Sequence, residues 1–387
     1  MRRARALIVA ASVVFAGAAH AQQAAPQTTQ PKRLPIIVGN VGINLLVEVD
    51  GTVKSWGGPA ADAGFYGDGL EDTPTRLTPA PIPGLHDIIG AAIGYDHALV
   101  LKSDGTLLGW GRNNGCSLAL PDDHRRYAPV PIPGVRNAKQ IAAGVHVSAA
   151  VLNDGTVLLW GEVDDALIPN AKAGREGCLT KPTPIPGLTG VKRIIIGDDA
   201  MFVLKDDGTV WGWGANSNGV LCDGTRENKA RPVQMKGIAN AVDFDYGNTS
   251  VIVLADGTVW MCGKNIDGSM AAGAAPNVVH TTPYKVAGIA NAVAARQAGA
   301  TIVRLKDGTL LGWGNGMHGS LGDGFVDKTL PTPHAPIGLG PVLVHYYASN
   351  EGYAVRADGT IMRWGYYTGG RSEWALKPVE WYKTKLE

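Results

Sequence analysis

Asp96, His97, His146, Asp198 and Asp199 are the side chains whose types suit metal binding or proton transfer. Carboxylates and imidazoles do such work only where they converge on one point, and these come from stretches about fifty residues apart. On a strand, the adjacent Asp198 and Asp199 would point to opposite sides. Two readings follow: a site at a channel mouth where these groups meet, or solvated acids on separate turns. No G-x-S-x-G elbow, H-E-x-x-H helix or phosphate-cradling P-loop occurs. The four cysteines, Cys116, Cys178, Cys222 and Cys262, include no C-x-x-C pair, which argues against zinc and thioredoxin-like chemistry. No catalytic residue, metal or cofactor is expected.

What positions these groups is a repeat. Asp-Gly-Thr, with Trp-Gly starting six residues after the Asp, begins at Asp50, Asp104, Asp154, Asp207, Asp256, Asp307 and Asp358. The tryptophans are Trp56, Trp110, Trp160, Trp213, Trp313 and Trp364, with Cys262 in that place in the fifth copy. A period near fifty residues with strand-turn-strand signals predicts a radial array. In the second copy, Ile88–Ile93 reads as a strand, Tyr95-Asp96 as a turn and His97–Lys102 as a strand. Asp104-Gly105 reads as a tight type I′ hairpin, with the glycine supplying positive φ. Thr106–Trp110 then returns. A segment with proline (Pro74, Pro129, Pro182, Pro232, Pro283, Pro333, Pro378) suits an outer edge strand. The fold predicted is all-β: a seven-bladed propeller over residues 36–387, with about four antiparallel strands per blade.

The first residues read as a secretory signal: Arg2, Arg3 and Arg5, an apolar run from Ala6 to Ala18, and Ala19-His20-Ala21 as cleavage site, giving a signal over 1–21. Residues 22–35 form a Gln/Ala/Pro-rich leader too polar to build a core. The run is too short for a membrane span, no later stretch approaches the length needed, and no cysteine follows the cleavage site to carry a lipid. Without the signal, 32 basic residues face 34 acidic ones, which leaves no electrostatic footprint for nucleic acid or anionic membrane. A periplasmic or extracellular location is expected, where cysteines oxidise. Cys116 and Cys178, in loops of consecutive repeats, are the first choice for a staple between blades. Cys262 is expected to be a buried free thiol.

Together these residues resemble the regulator of chromosome condensation repeat. Gly94-Tyr95-Asp96-His97 matches its G-x-x-H turn. Trp213-Gly214-Ala215-Asn216 with Gly219, and Trp313-Gly314 with Gly319-Ser320-Leu321-Gly322, match its W-G-x-N-x-x-G-x-L-G phrase. The resemblance covers residues 35 to 381. It implies that the G-x-x-H turns line one face around the channel and meet partners there. In this chain they present Asn44, Tyr95, Asp96, His97, His146, Asp198, Asp199, Tyr246, Asn248, Gln297, Asn350 and Glu351. Flat turns with Tyr95 and Tyr246 exposed would favour a binding face. The competing reading is a set of solvated turns, with His97 holding blade geometry. Only the second repeat keeps the turn's histidine, and the third replaces the N-x-x-G loop by Glu162 to Gly177.

The family includes a nuclear exchange factor for a small GTPase, an activity a secreted protein would not exercise, and secreted binders such as a β-lactamase inhibitor. The expected function is a rigid, monomeric platform for a protein or peptide partner. The alternative is an envelope hydrolase or lyase with its site at the channel mouth. The aromatic group Tyr366, Tyr367, Trp374, Trp381 and Tyr382 suits either a contact patch or ring closure. The terminal segments are expected to share one blade.

Overall fold

All seven Asp-Gly-Thr phrases fold alike. In a computed structural model, Oδ1 of each Asp accepts the backbone N–H of the Thr two residues on, at 2.9 Å in every copy. In the second copy Gly105 N–H donates to Lys102 O and Lys102 N–H to Thr106 O, both at 2.9 Å. Only the glycine of each phrase has positive φ, +78° at Gly105. This is a type I turn closed by a glycine bulge, not the type I′ turn expected, because the loop carries one residue more before the strands pair. A Cβ on Gly105 would stand 2.8 Å from the Asn137 Cα, so the turn also needs glycine to dock against the next blade.

The structure describes residues 33–40, 42–57, 65–71, 74–165, 167–168, 177–266, 268–271, 277–326, 328–336, 338–348, 351–366 and 374–386. The predicted signal, most of the leader, Asn350, Tyr367 and much of the 162–177 loop lie outside them. The described strands form seven four-stranded antiparallel sheets, each with its strands in chain order. The first blade comprises Ile36–Gly39, Ile43–Val47, Val53–Gly57 and Arg76–Pro81. The fourth comprises Val191–Ile196, Ala200–Lys205, Val210–Gly214 and Lys229–Gln234, and the seventh Val344–Ala348, Glu351–Val355, Thr360–Tyr366 and Trp374–Lys383. The first strand of each blade lies innermost and the proline-bearing fourth at the rim, where one side has no ladder to supply. Central strands are buried on both faces, as sheets stacked between neighbours must be.

Blades are tied at four levels. The hairpin glycine's carbonyl accepts the N–H that opens the next innermost strand, as in Ala138 to Gly105 at 3.1 Å. The six tryptophans of the Trp-Gly phrase are core, and Nε1 of Trp160, Trp313 and Trp364 donates to Ser117, Ser269 and Ser320 O at 2.8, 3.1 and 2.9 Å. Those carbonyls stand seven residues after the preceding blade's Trp position. Innermost strands exchange side-chain bonds: Gln140 caps both N–H (2.9 Å) and O (3.1 Å) of Ile194, and Asp243 accepts Ala295 N–H at 3.0 Å. Finally, Cys116 is bonded to Cys178 and Cys222 to Cys262.

The second disulfide corrects the free-thiol expectation for Cys262. In the fifth blade a covalent bond replaces the tryptophan's hydrogen bond to the preceding loop. The missing indole leaves room for a sulfur bridge to Cys222, two residues beyond Val220, the carbonyl at the Trp-acceptor position.

The shared blade is also corrected. The chain supplies a complete first blade beginning at Ile36 and a complete seventh ending at Lys383. The seam is closed by side chains. Trp381 packs on Trp56 (ring centroids 4.8 Å) and Tyr353 (5.5 Å). Glu48 accepts from Lys54 (2.6 Å), Tyr382 (2.9 Å) and Thr384 (2.5 Å). The carbonyl of Gly359, the hairpin glycine of the seventh blade, takes Thr384 N–H at 3.0 Å.

Candidate functional site

Antiparallel strands place two kinds of loop on one face of the ring. The turn between the first and second strands ends on the same side as the loop after Trp-Gly. The N-x-x-G loops, legible in the amino-acid sequence as polar connections after Trp-Gly, therefore share the face of the G-x-x-H turns.

The structure divides the predicted ring. Asn44, Asp96, His97, Tyr246, Gln297 and Glu351 are buried. His97 is fully enclosed, with Nε2 2.8 Å from Ser148 Oγ in the next blade. The Ser148 hydroxyl donates to Ser117 O at 2.8 Å, so His97 Nε2 is the donor. This histidine fixes one blade against another, the geometric role weighed for it. Gln297 works likewise: its Oε1 accepts Asn248 N–H at 3.2 Å and its Nε2 donates to Thr249 Oγ1 at 3.1 Å. Tyr353 donates to Glu351 within the seventh blade. All six are corrected to the interior: Asn44, His97, Tyr246, Gln297 and Glu351 stand on the strand ends that flank the turns, between stacked sheets, and only Asp96 lies in a turn.

Tyr95 (52% exposed), His146, Asp198, Asp199 and Asn248 do reach the face. Asp198 and Asp199 sit in the turn before Ala200, not on a strand, so both carboxylates stand at the surface. His146 is half-buried, its Nδ1 3.1 Å from Glu162 Oε1. Among the described residues no group of three His, Cys, Asp or Glu side chains is placed to hold a metal ion.

Three of these residues, with Tyr246, frame a pocket of about 130 Å³ between the fourth and fifth blades. Its walls are Gly197 to Asp199, Ala215, Ser217, Asn218 and Val220 from the fourth blade, and Tyr246 to Asn248 from the fifth. Tyr246 lies across the floor because Gly197 yields it space: a Cβ there would fall 2.3 Å from its Cε1. Its ring packs on Phe202 (4.6 Å) and its hydroxyl donates to Asp199 Oδ1 at 2.8 Å. Burial, then the Asp199 charge, push the phenol far above its ordinary value, so it stays protonated and fixes that carboxylate.

Beneath the turns, the innermost strands bury a charged cluster that the sequence reading did not single out. Asp243 accepts Arg193 and, at 2.9 Å, Arg296. Burial alone would raise its pKa, but Arg296 and Arg193 hold it below the ordinary carboxylate value. Asp245 takes Gln297 N–H at 2.9 Å, and burial outweighs the same two guanidiniums to push it up. This cluster ties blades together.

Comparison with known proteins agrees with the repeat. Models of the regulator of chromosome condensation (RCC1) repeat match residues 104–151 and 207–254, and a second model of that repeat matches 88–116 and 191–220. The chain carries RCC1 repeats over those residues, within a seven-bladed propeller. Protein pim1 of Schizosaccharomyces pombe is 31% identical over 198 residues, 49% of this chain and 29% of pim1. The chain thus matches less than a third of that relative's length. Prp20p of Saccharomyces cerevisiae, described with its binding to Gsp1p and histones, superposes with TM-score 0.68 at 20% identity over 84% of each chain. Human WBSCR16 gives TM-score 0.70 at 20% identity, over 85% of this chain and 94% of its own. At that identity the two solved structures share the fold with this chain. No helix among the described residues is long and apolar enough to cross a membrane.

Proposed function

We propose that the chain is a protein- or peptide-binding platform whose contact face is the turn side of the second to fifth blades. The observation that carries this reading is the pocket between the fourth and fifth blades, which joins exposed Asp198 and Asp199 with half-buried Asn248 on a face that also shows Tyr95 and His146. Rigid turns bearing an aromatic and several polar groups bind without first being ordered, which keeps the entropic cost of association low. That Prp20p, of the same fold, binds proteins supports the reading. The location we propose is periplasmic or extracellular, on the signal-like first residues, and the role inhibitor-like, one face of the ring occluding its partner.

The test is affinity capture from envelope and culture-supernatant fractions, comparing wild type with a Tyr95→Ala, Asp198→Asn, Asp199→Asn variant. All three positions are exposed, so the variant should keep its thermal midpoint while losing the captured partner. Identical capture by both forms would remove this face from consideration, and no capture from either fraction would count against a platform in the envelope or medium.

A further inference from the structure

The four cysteines are spread one to a blade over four consecutive blades, and none pairs within its own. Cys116 lies in the loop after Trp110 of the second blade, and Cys178 immediately precedes Leu179–Pro184, the outer strand of the third. Cys222 lies in the loop after Trp213 of the fourth blade, and Cys262 within Val259–Lys264, the third strand of the fifth. Neither bond can therefore form inside one folded blade; each needs two blades side by side. Yet in the docked ring all four residues are 0% exposed. Cys222 and Cys262 belong to an apolar cluster with Phe202, Leu221, Phe244 and Ile252. Beside Cys116, the Ser117 carbonyl is covered by the Trp160 indole and the Ser148 hydroxyl.

Making a disulfide brings a second molecule to the sulfur. The exchange passes through a mixed disulfide, so a sulfur of the oxidant must touch the cysteine. A sulfur with no accessible surface cannot be reached that way. Oxidation thus has a window, after neighbouring blades can meet and before they close on one another. The order of the cysteines suits that window. The bonds join the first to the second and the third to the fourth, so each pair is complete once its own two blades exist.

We propose that the chain is the substrate of a thiol-oxidising disulfide donor that acts before its blades dock, and that the finished ring is closed to thiol reagents. Redox conditions are then read once, at folding, and not afterwards. For each bond, one cysteine thiolate displaces a thiolate from the donor's disulfide. The second cysteine thiolate attacks the mixed disulfide at the cysteine sulfur and expels the donor's remaining thiolate. Two cysteine thiols lose two electrons and two protons, and the donor's disulfide is reduced to two thiols. Such donors persist in the periplasm and on the extracellular route, the location proposed for this protein.

Two measurements test this. In the first, unfolded and reduced protein is diluted into native buffer, and oxidised glutathione is added at once or after tryptophan fluorescence has settled. Alkylation with mass spectrometry then counts the remaining thiols. Addition at once should consume all four. Late addition should meet either a chain that cannot fold until it is oxidised, or a folded ring whose thiols react at least about a hundredfold slower than free cysteine, because attack waits for local opening. In the second, native protein is held in dithiothreitol without denaturant, which reads the protection whatever the reduced chain does. Both bonds should outlast those of the urea-unfolded protein by at least about a hundredfold. Oxidation of a folded, reduced ring at the rate of free cysteine would overturn the proposal. So would reduction of either native bond as fast as in urea while the fluorescence stays native.

Discussion

Asp104 and its six counterparts show how one residue type does repeated work. Each accepts its Thr backbone N–H, and in most copies the Thr hydroxyl as well. Those bonds hold all seven carboxyls below the ordinary value: the Thr hydroxyl contributes most at Asp50, Asp104, Asp207 and Asp256, the Thr N–H at Asp154, Asp307 and Asp358. A carboxyl with a depressed folded pKa stabilises the fold above its unfolded pKa, about 3.9, and loses that contribution as pH falls through the folded value. These seven contributions should therefore stay whole down to about pH 5 and be lost below about pH 4. Buried His345, pushed down to about 3, removes stability gradually from about pH 6.5. The thermal midpoint should decline below about pH 6 and most steeply below about pH 4. A midpoint unchanged down to pH 2 would contradict this role. At the same scale, His97 shows why a motif residue misleads: the feature that makes a turn recognisable is the one that packs it.

At the scale of elements, the loop after each Trp-Gly is the clasp between blades. Asn113, Asn216 and Asn265 shape it by accepting the N–H of Leu118, Leu221 and Met270 at 2.8, 2.9 and 3.1 Å. The next blade's indole then closes on its carbonyl. At the fourth-to-fifth junction Cys222–Cys262 takes over, and losing it through Cys222→Ala with Cys262→Ala should cost about 2–4 kcal/mol in chemical denaturation. Pairing Cys222→Ala with Cys262→Trp should recover part of the loss, because the Val220 carbonyl occupies the place that accepts an indole elsewhere. If the tryptophan variant is no more stable than the double alanine, the equivalence is wrong.

For the whole molecule, the vulnerable place is the seam. Six junctions are crossed by continuous chain, while the seventh is held by non-covalent contacts alone: Trp381, Tyr382 and Thr384 meet Trp56 and Glu48, and Tyr346 donates to the Pro35 carbonyl between the innermost strands. Deleting residues 377–387 removes the contacts of Trp381, Tyr382 and Thr384 together with most of an edge strand. It should lower stability by at least about 2 kcal/mol, the order of burying one large side chain, and thermal unfolding measures it. An unchanged midpoint would mean that the ring closes through its innermost strands alone.

The repeat, its period, the hairpin glycines, the buried tryptophans and the proline edge were legible in the amino-acid sequence, because each follows from local backbone chemistry repeated in register. The seven-bladed architecture follows, since half-buried sheets of that period must stack on one another. Which turn residues face solvent was not legible. His97 and Tyr95 stand two residues apart in one turn, and only the neighbouring blade decides that the first is enclosed and the second free. The Cys222–Cys262 bond, the buried Arg193–Asp243–Arg296 cluster and the pocket under Asp199 likewise join residues about 40 to 50 positions apart. Period sets the number of blades; contacts between blades set everything that a partner would meet.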